Sequence, residues 1–177
     1  MRFFIGIVPP KDYKQRVIDF QNQWKFHEKQ TVVEPHITLK AQSGLTPDQN
    51  WMSKVERICN TSSPFTIMLG EPSFFGEDVL YLSMKSSKLE AIHARIVKAI
   101  GPAPHLLKKY FELDDYVPHM TLAKTSYGIS GQELREMEKA ATKLLSPYPS
   151  FDVHFIRVFK EAGPNKYEKL VDLPLGS

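Results

Sequence analysis

Apolar residues recur along this chain in two rhythms. Residues 3–8, Phe-Phe-Ile-Gly-Ile-Val, form a continuous apolar, aromatic and β-branched run that predicts a buried strand, ended by Pro9-Pro10. From Lys11 to about Trp24, apolar Tyr13, Val17, Phe20 and Trp24 step by four, three and four, which predicts an amphipathic helix. Residues 31–40 read as a second strand. Thr46-Pro47-Asp48-Gln49 carries a capping-box pattern with Thr46 as N-cap, and predicts a helix to about Cys59. Segments 65–69 and 79–84 predict two strands joined by a connection containing Gly and Pro. Ser87 with Glu90 marks the next helix start and Gly101 its stop. Residues 102–116, with Pro102, Pro104 and Asp114-Asp115, read as loop. Segment 119–124 predicts a strand, and Ser130 with Glu133 opens a helix ending near Leu145. Segments 151–159 and 167–173 predict a hairpin around Gly163-Pro164-Asn165.

That order repeats. Strand, helix, strand, turn and strand run once over about 34–84 and again over about 117–173. Each copy begins on a histidine: the helix signal follows His36 at Thr46 and His119 at Ser130. Short helices among antiparallel strands argue an α+β fold of two pseudo-symmetric lobes, each a mainly antiparallel sheet with flanking helices, and a cleft between them. No Gly- or Ser-rich linker separates the halves, taken as about 34–100 and 117–174. One bilobed domain over 1–177 is the expectation.

The repeat is sharpest at Pro35-His36-Ile37-Thr38-Leu39 and Pro118-His119-Met120-Thr121-Leu122, both Pro-His-x-Thr-Leu. Composition alone predicts about 0.002 copies of this pattern in such a chain, so two copies point to internal duplication. The third Pro-His pair, Pro104-His105, lacks the threonine. On a strand, residues two apart share a face, so each His projects beside its Thr. Two imidazoles and two hydroxyls around one point suit a phosphodiester: one neutral His activates water, the other donates a proton to the leaving oxygen. The threonines hydrogen-bond the non-bridging oxygens. By the same period Lys40 shares the face of His36 and Thr38 and is a candidate phosphate partner. Lys124 falls on the opposite parity to Thr121 unless a bulge intervenes.

Composition narrows the chemistry. The 177 residues are 42% hydrophobic and 24% charged, which excludes a disordered or fibrous chain. A formal charge of +3 admits an anionic ligand but is too mild for a general nucleic-acid coat protein. Cys59 is the single cysteine, so there is no disulfide framework and no cysteine-based metal site, and a reducing cytoplasm is expected. The apolar run at 3–8 is too short for a secretory signal, and nothing approaches a membrane span. Thr is a poor metal ligand and no carboxylate accompanies both motifs, so neither metal nor cofactor is expected.

With both motifs, the N-terminal strand and the duplicated plan, nearly the whole chain resembles the 2H phosphoesterases. These include proteins called 2′-5′ RNA ligases or RNA 2′,3′-cyclic phosphodiesterases, and the chain looks most like their small YjcG-like bacterial branch. The resemblance implies His36 and His119 as the catalytic pair, with Thr38 and Thr121 binding phosphate. Two departures are visible: Lys124 stands where many RNA-ligase-like members have Arg, and Lys40-Ala41-Gln42 replaces a common Phe-Leu-Gly.

The expected activity is therefore metal-independent cleavage of a cyclic phosphodiester, an RNA or nucleotide 2′,3′-cyclic phosphate, by a cytoplasmic monomer. The alternatives are 2′–5′ joining of RNA ends, a non-catalytic RNA-end binding module, or a small cyclic phosphate unrelated to RNA. Phe74, Phe75, Tyr110, Tyr116 and Tyr127 are read in or near loops that edge the cleft and stack a base. Lys108-Lys109 is a further loop cation pair. His93 is read at the exposed border of a helix stripe, His154 as facing away from the core, His27 and His105 as loop residues, and Cys59 as packing.

Overall fold

The computed structural model describes residues 1–24 and 33–176. Its strands are β1 (Phe3–Ile7), β2 (Ile37–Lys40), β3 (Phe65–Phe75), β4 (Val79–Lys85), β5 (Met120–Lys124), β6 (Ser150–Val153), β7 (Phe155–Gly163) and β8 (Lys166–Pro174). Its helices are α1 (Lys11–Asn22), α2 (Met52–Asn60), α3 (Ser87–Ile100), α4 (Pro104–Lys109) and α5 (Gly131–Leu144). Every strand pairing is antiparallel. The strands form two sheets of four, ordered β2-β1-β7-β8 and β5-β4-β3-β6, with helices alongside. The fold is thus α+β and two-lobed, as the periodicity predicts.

The two sheets are built alike. In one, β1, α1 and β2 put β2 at the edge with His36 just before it. In the other, β4, α3 and β5 put β5 at the edge with His119 just before it. The sequence halves exchange strands: β2 joins the sheet of β7 and β8, whereas β3 and β4 join that of β5. The exchange knits both sheets to one apolar core, which includes Phe3 and Leu39 from the first and Ile67, Leu82 and Leu122 from the second. Burying that apolar surface is the main stabilising contribution.

Local chemistry explains where elements end. Ser130 accepts the Glu133 amide at 3.1 Å and caps α5 as predicted. Gly101 closes α3 in the left-handed region at φ 67°. Five boundaries differ from the sequence reading. β3 runs on through Gly70 and Pro72 to Phe75 instead of stopping near Leu69. Ser86, not Ser87, caps α3, accepting from Leu89 N at 3.3 Å. Thr46 spends its hydroxyl on the Asp48 carboxylate at 2.6 Å, so α2 starts only at Met52. Segment 151–159 is two strands rather than one. Burial shifts from Phe151 and Val153 to Ile156 and Val158, a change of parity at exposed His154 where the chain leaves one sheet for the other. Segment 102–116 contains α4 and a 3-10 turn at Leu113–Asp115. Residues 31–32 of the predicted second strand, and His27, lie outside the described residues.

Candidate active site

Both motifs are set by the same local construction. The proline disfavours helical backbone in the residue before it, Glu34 or Val117. His36 Nδ1 lies 2.8 Å from the Glu34 carbonyl, and His119 Nδ1 lies 2.8 Å from the Val117 carbonyl. A carbonyl only accepts, so each Nδ1 carries the proton and each Nε2 is left for proton exchange. The rings also have matching walls. Phe4 of β1 and Phe159 of β7 pack on His36 with centroids at 5.0 and 5.6 Å. Tyr81 of β4 and Phe75 of β3 pack on His119 at 5.4 and 4.8 Å. These are equivalent strands of the two sheets, and within each wall the two aromatics stack, at 4.6 and 4.1 Å.

A bulge then repeats after each threonine. Thr38 pairs with Gly6 and Lys40 with Ile5, which leaves Leu39 as the extra residue. Thr121 pairs with Tyr81 and Ala123 with Leu80, which leaves Leu122 as the extra one. The period of two is lost at that point. The residue four after the histidine turns inward, and the residue five after it faces the cleft. Lys40 is therefore not at the phosphate position expected of it: it is fully buried. Its ammonium lies 2.9 and 3.0 Å from the Glu112 carboxylate and donates to the Ala41 and Ser43 carbonyls at 2.9 and 2.6 Å. Lys124 takes the cleft position instead.

The cleft has two adjoining chambers. One, of about 530 Å³, is lined by His36, Thr38, Thr121, Lys124 and Tyr127. The other, of about 570 Å³, is lined by His119 and shares Thr38, Ala41 and Lys124 with the first. The structure thus brings His36, Thr38, His119, Thr121 and Lys124 to one cleft and leaves Lys40 out. Burial, with the nearby charges of His119 and Lys124, holds His36 down to about 4, against the pull of the Glu34 carbonyl. Burial and Lys124 lower His119 as well, and burial lowers Lys124 itself. Among the described residues, no group of three or more His, Cys, Asp or Glu side chains is placed to hold a metal ion.

A charged clamp behind the first motif was not legible. Arg157 of β7 pairs with the Glu34 carboxylate and forks onto Asp172 of β8 at 2.7 and 3.0 Å. Lys14 reaches Glu34 at 2.9 Å. Burial opposes ionisation of Glu34, but these two cations outweigh it and hold the carboxyl below its usual range. The clamp fixes the residue whose carbonyl orients His36. Its one sequence signal is that Arg157 and Asp172 stand opposite each other across the predicted hairpin.

Other expectations change with burial. His93 is buried, not at an exposed border. Its Nδ1 meets the Leu39 carbonyl at 2.7 Å and its Nε2 accepts from Leu113 N at 3.0 Å, so the ring is neutral. Burial accordingly lowers its pKa. Tyr116 stacks on that ring at 3.7 Å and donates to the Thr38 carbonyl at 2.8 Å, so it braces β2. Phe74 and Phe75 belong to β3, where Phe74 packs on the core and Phe75 walls His119. Phe75, Tyr110 and Tyr116 line the second chamber described above and Tyr127 the first, so of the five aromatics expected at the cleft only Phe74 is absent from its lining. His154 is exposed, as is His105, which lies on α4. Cys59 is buried, and burial raises its thiol to about 11.

Gly6 lies beneath His36 where β1 passes β2. A Cβ there would stand 3.1 Å from the Ile37 carbonyl, 3.2 Å from the Phe159 ring and 3.6 Å from His36 Cδ2. Gly6→Ala is expected to destabilise by about 1–3 kcal/mol through overpacking against the Ile37 carbonyl and the Phe159 ring, read in a thermal melt. A variant with wild-type melting would show that the neighbours yield to a methyl group.

A duplicated His-x-Thr cleft on paired antiparallel sheets defines a two-histidine phosphoesterase-type architecture. The sequence profile described as the 2′-5′ RNA ligase superfamily matches residues 9–165, and the chain belongs to that family, as its motifs imply. Among solved structures, TT0787 of Thermus thermophilus superposes with a TM-score of 0.62 at 16% identity, over 99% of this chain and 98% of that one. Escherichia coli LigT complexed with phosphate superposes with a TM-score of 0.62 at 16% identity and the same coverage. LigT complexed with 3′-AMP gives 0.61 at 15%, again over 99% and 98%. These likenesses show the fold. No curated protein sequence matches the chain. No helix among the described residues is long and apolar enough to cross a membrane.

Proposed function

We propose that the protein is a metal-independent phosphoesterase that opens a cyclic phosphodiester, an RNA or nucleotide 2′,3′-cyclic phosphate, with His36 and His119 as general base and general acid. The observation that carries this reading is the pair of imidazoles, each fixed through Nδ1 and each beside a threonine on one cleft. His36 is the more strongly depressed of the two and stays neutral, so its Nε2 takes the proton from water. The water oxygen bonds to phosphorus as one phosphorus–ribose oxygen bond breaks. The electron pair leaves on that oxygen and His119 Nε2 delivers its proton there. Thr38, Thr121 and Lys124 hydrogen-bond the non-bridging oxygens, where negative charge must be held. Lys124 does so as a point charge rather than a fork. The LigT complexes with phosphate and 3′-AMP support such a ligand for this fold. A reducing cytoplasm suits buried, free Cys59. With a 5′-hydroxyl in place of water as the nucleophile and the 3′ oxygen leaving, the same groups form the 2′–5′ linkage that the family description names.

The test is kcat/KM against pH, in EDTA, for a short RNA ending in a 2′,3′-cyclic phosphate. The base must be neutral and the acid protonated, so kcat/KM falls below about pH 4, as His36 protonates, and falls again as His119 loses its proton. The His119 limb lies below the ordinary imidazole value of about 6.5. The expected profile is a bell with a mildly acidic optimum. Turnover that EDTA abolishes, or an optimum in alkali, would overturn the reading.

A further inference from the structure

The two chambers differ in chemistry, and the difference orients the substrate. His36 lines only the first and His119 only the second. In an in-line displacement the attacking and leaving oxygens lie on opposite sides of phosphorus. The first chamber offers Arg2, Gln21, Gln42, Asn165 and Tyr167, a polar lining fit for water and for further phosphates. The second is walled by Leu39, Phe75, Val79, Tyr110, Phe111 and Val117, and among its described lining residues Lys124 is the one Lys or Arg. Its Glu112 carboxylate is already spent on Lys40, and its remaining carboxylate, Asp115, repels an anion. Polarity alone thus places the water in the first chamber and an uncharged organic group in the second.

The far wall of the second chamber is held in place rather than draped. Phe111 and Leu113 both sit in the left-handed region, at φ 54° and 58°, a costly backbone for residues with a side chain. Between them Glu112 is drawn into the interior by Lys40 and Ser43, and the Leu113 amide is tied to His93. The outcome is a large aromatic ring, Phe111, left 68% exposed on the wall of a cavity that Thr38 and His119 also line. A protein does not ordinarily hold strained backbone to display a phenyl ring to water.

We propose that the His119 chamber is the leaving-group subsite, that it takes the ribose and uncharged base of the nucleotide whose 2′ or 3′ oxygen departs, and that Phe111 is the specificity-determining residue that holds the base. This rests on the phosphoesterase reading above and adds to it an orientation and a selected group. A flat heteroaromatic base matches a chamber that has aromatic walls and one cation at its mouth.

The experiment compares adenosine 2′,3′-cyclic phosphate with methyl riboside 2′,3′-cyclic phosphate, which lacks the base, for wild type, Phe111→Ala and Phe111→Trp. Wild type is expected to favour the adenosine substrate in kcat/KM by at least about fivefold, the lower end of what stacking one base contributes. Phe111→Ala is expected to lose that preference through KM, with a loss on the adenosine substrate at least about fivefold greater than on the baseless one, and Phe111→Trp to keep it. Equal kcat/KM for the two substrates in wild type, or an equal loss on both in Phe111→Ala, overturns the proposal. Should wild type turn over neither, the catalytic reading fails, and calorimetric binding of adenosine 3′-phosphate decides the subsite separately. Binding weakened at least fivefold by Phe111→Ala upholds it, and unchanged binding overturns it.

Discussion

His36→Ala and His119→Ala are each expected to lower kcat for cyclic phosphate opening by about 10²–10⁴-fold, the range that positioned proton transfer supplies. Binding of the monoester product should change far less, because Thr38, Thr121 and Lys124 remain to hold the phosphate. The two losses will not add. Base and acid act in one displacement, so the double variant should be little worse than the poorer single one. The pH profile separates the roles. Without His36 the fall near pH 4 disappears from the residual rate, and without His119 the alkaline fall disappears. Each ring also packs against two aromatics, so some stability is lost with it, and circular dichroism must show a folded variant before a rate is read. Asparagine in place of either histidine retains a polar side chain of similar reach without the proton chemistry and should be as inactive as alanine. Either single variant within about threefold of wild type would be far outside the general-catalysis range and would remove that histidine from the mechanism.

Much of this arrangement is legible in the chain because it depends on local rules. Pro-His-x-Thr-Leu places a histidine at a strand entry with a threonine on the same face, and the structure brings both copies to one cleft. What fails is extrapolation of the period past Thr38. The bulge at Leu39 is a property of how β2 pairs with β1, so residue alternation cannot see it, and Lys40 is misplaced for that reason alone. The matching bulge at Leu122 moves Lys124 into the cleft by the same step. The aromatic walls are missed because Phe4 and Tyr81 read as ordinary strand apolars until the order of strands sets them beside a histidine. The second chamber is missed because its wall lies in a segment whose Pro and Asp signals read as plain loop. Glu112 is not seen as buried, because a carboxylate reads as exposed unless a buried partner is known. The parity change between Val153 and Ile156 was present in the sequence. It reports a strand leaving one sheet for the other only once both sheets are known.

Lys40→Met is expected to be the most damaging single change away from the cleft. It leaves the Glu112 carboxylate in the interior with Ser43 as its remaining hydrogen-bond partner, and breaking a buried pair from one side costs about 3–5 kcal/mol. For a chain of this size that corresponds to a melting temperature lower by about 6–20 °C. Lys40→Met combined with Glu112→Leu removes both charges and should recover most of the loss, since apolar replacement of a whole buried pair is often near neutral. Recovery stays incomplete because the Ala41 and Ser43 carbonyls lose their donor. The same pair ties the Phe111 wall to β2, the strand of the first motif. The double variant, although stable, should thus raise KM for the adenosine substrate more than for the baseless one. A phosphate-binding Lys40 would weaken both substrates equally, and Lys40→Met would then melt like wild type; that outcome would overturn the inward placement of Lys40.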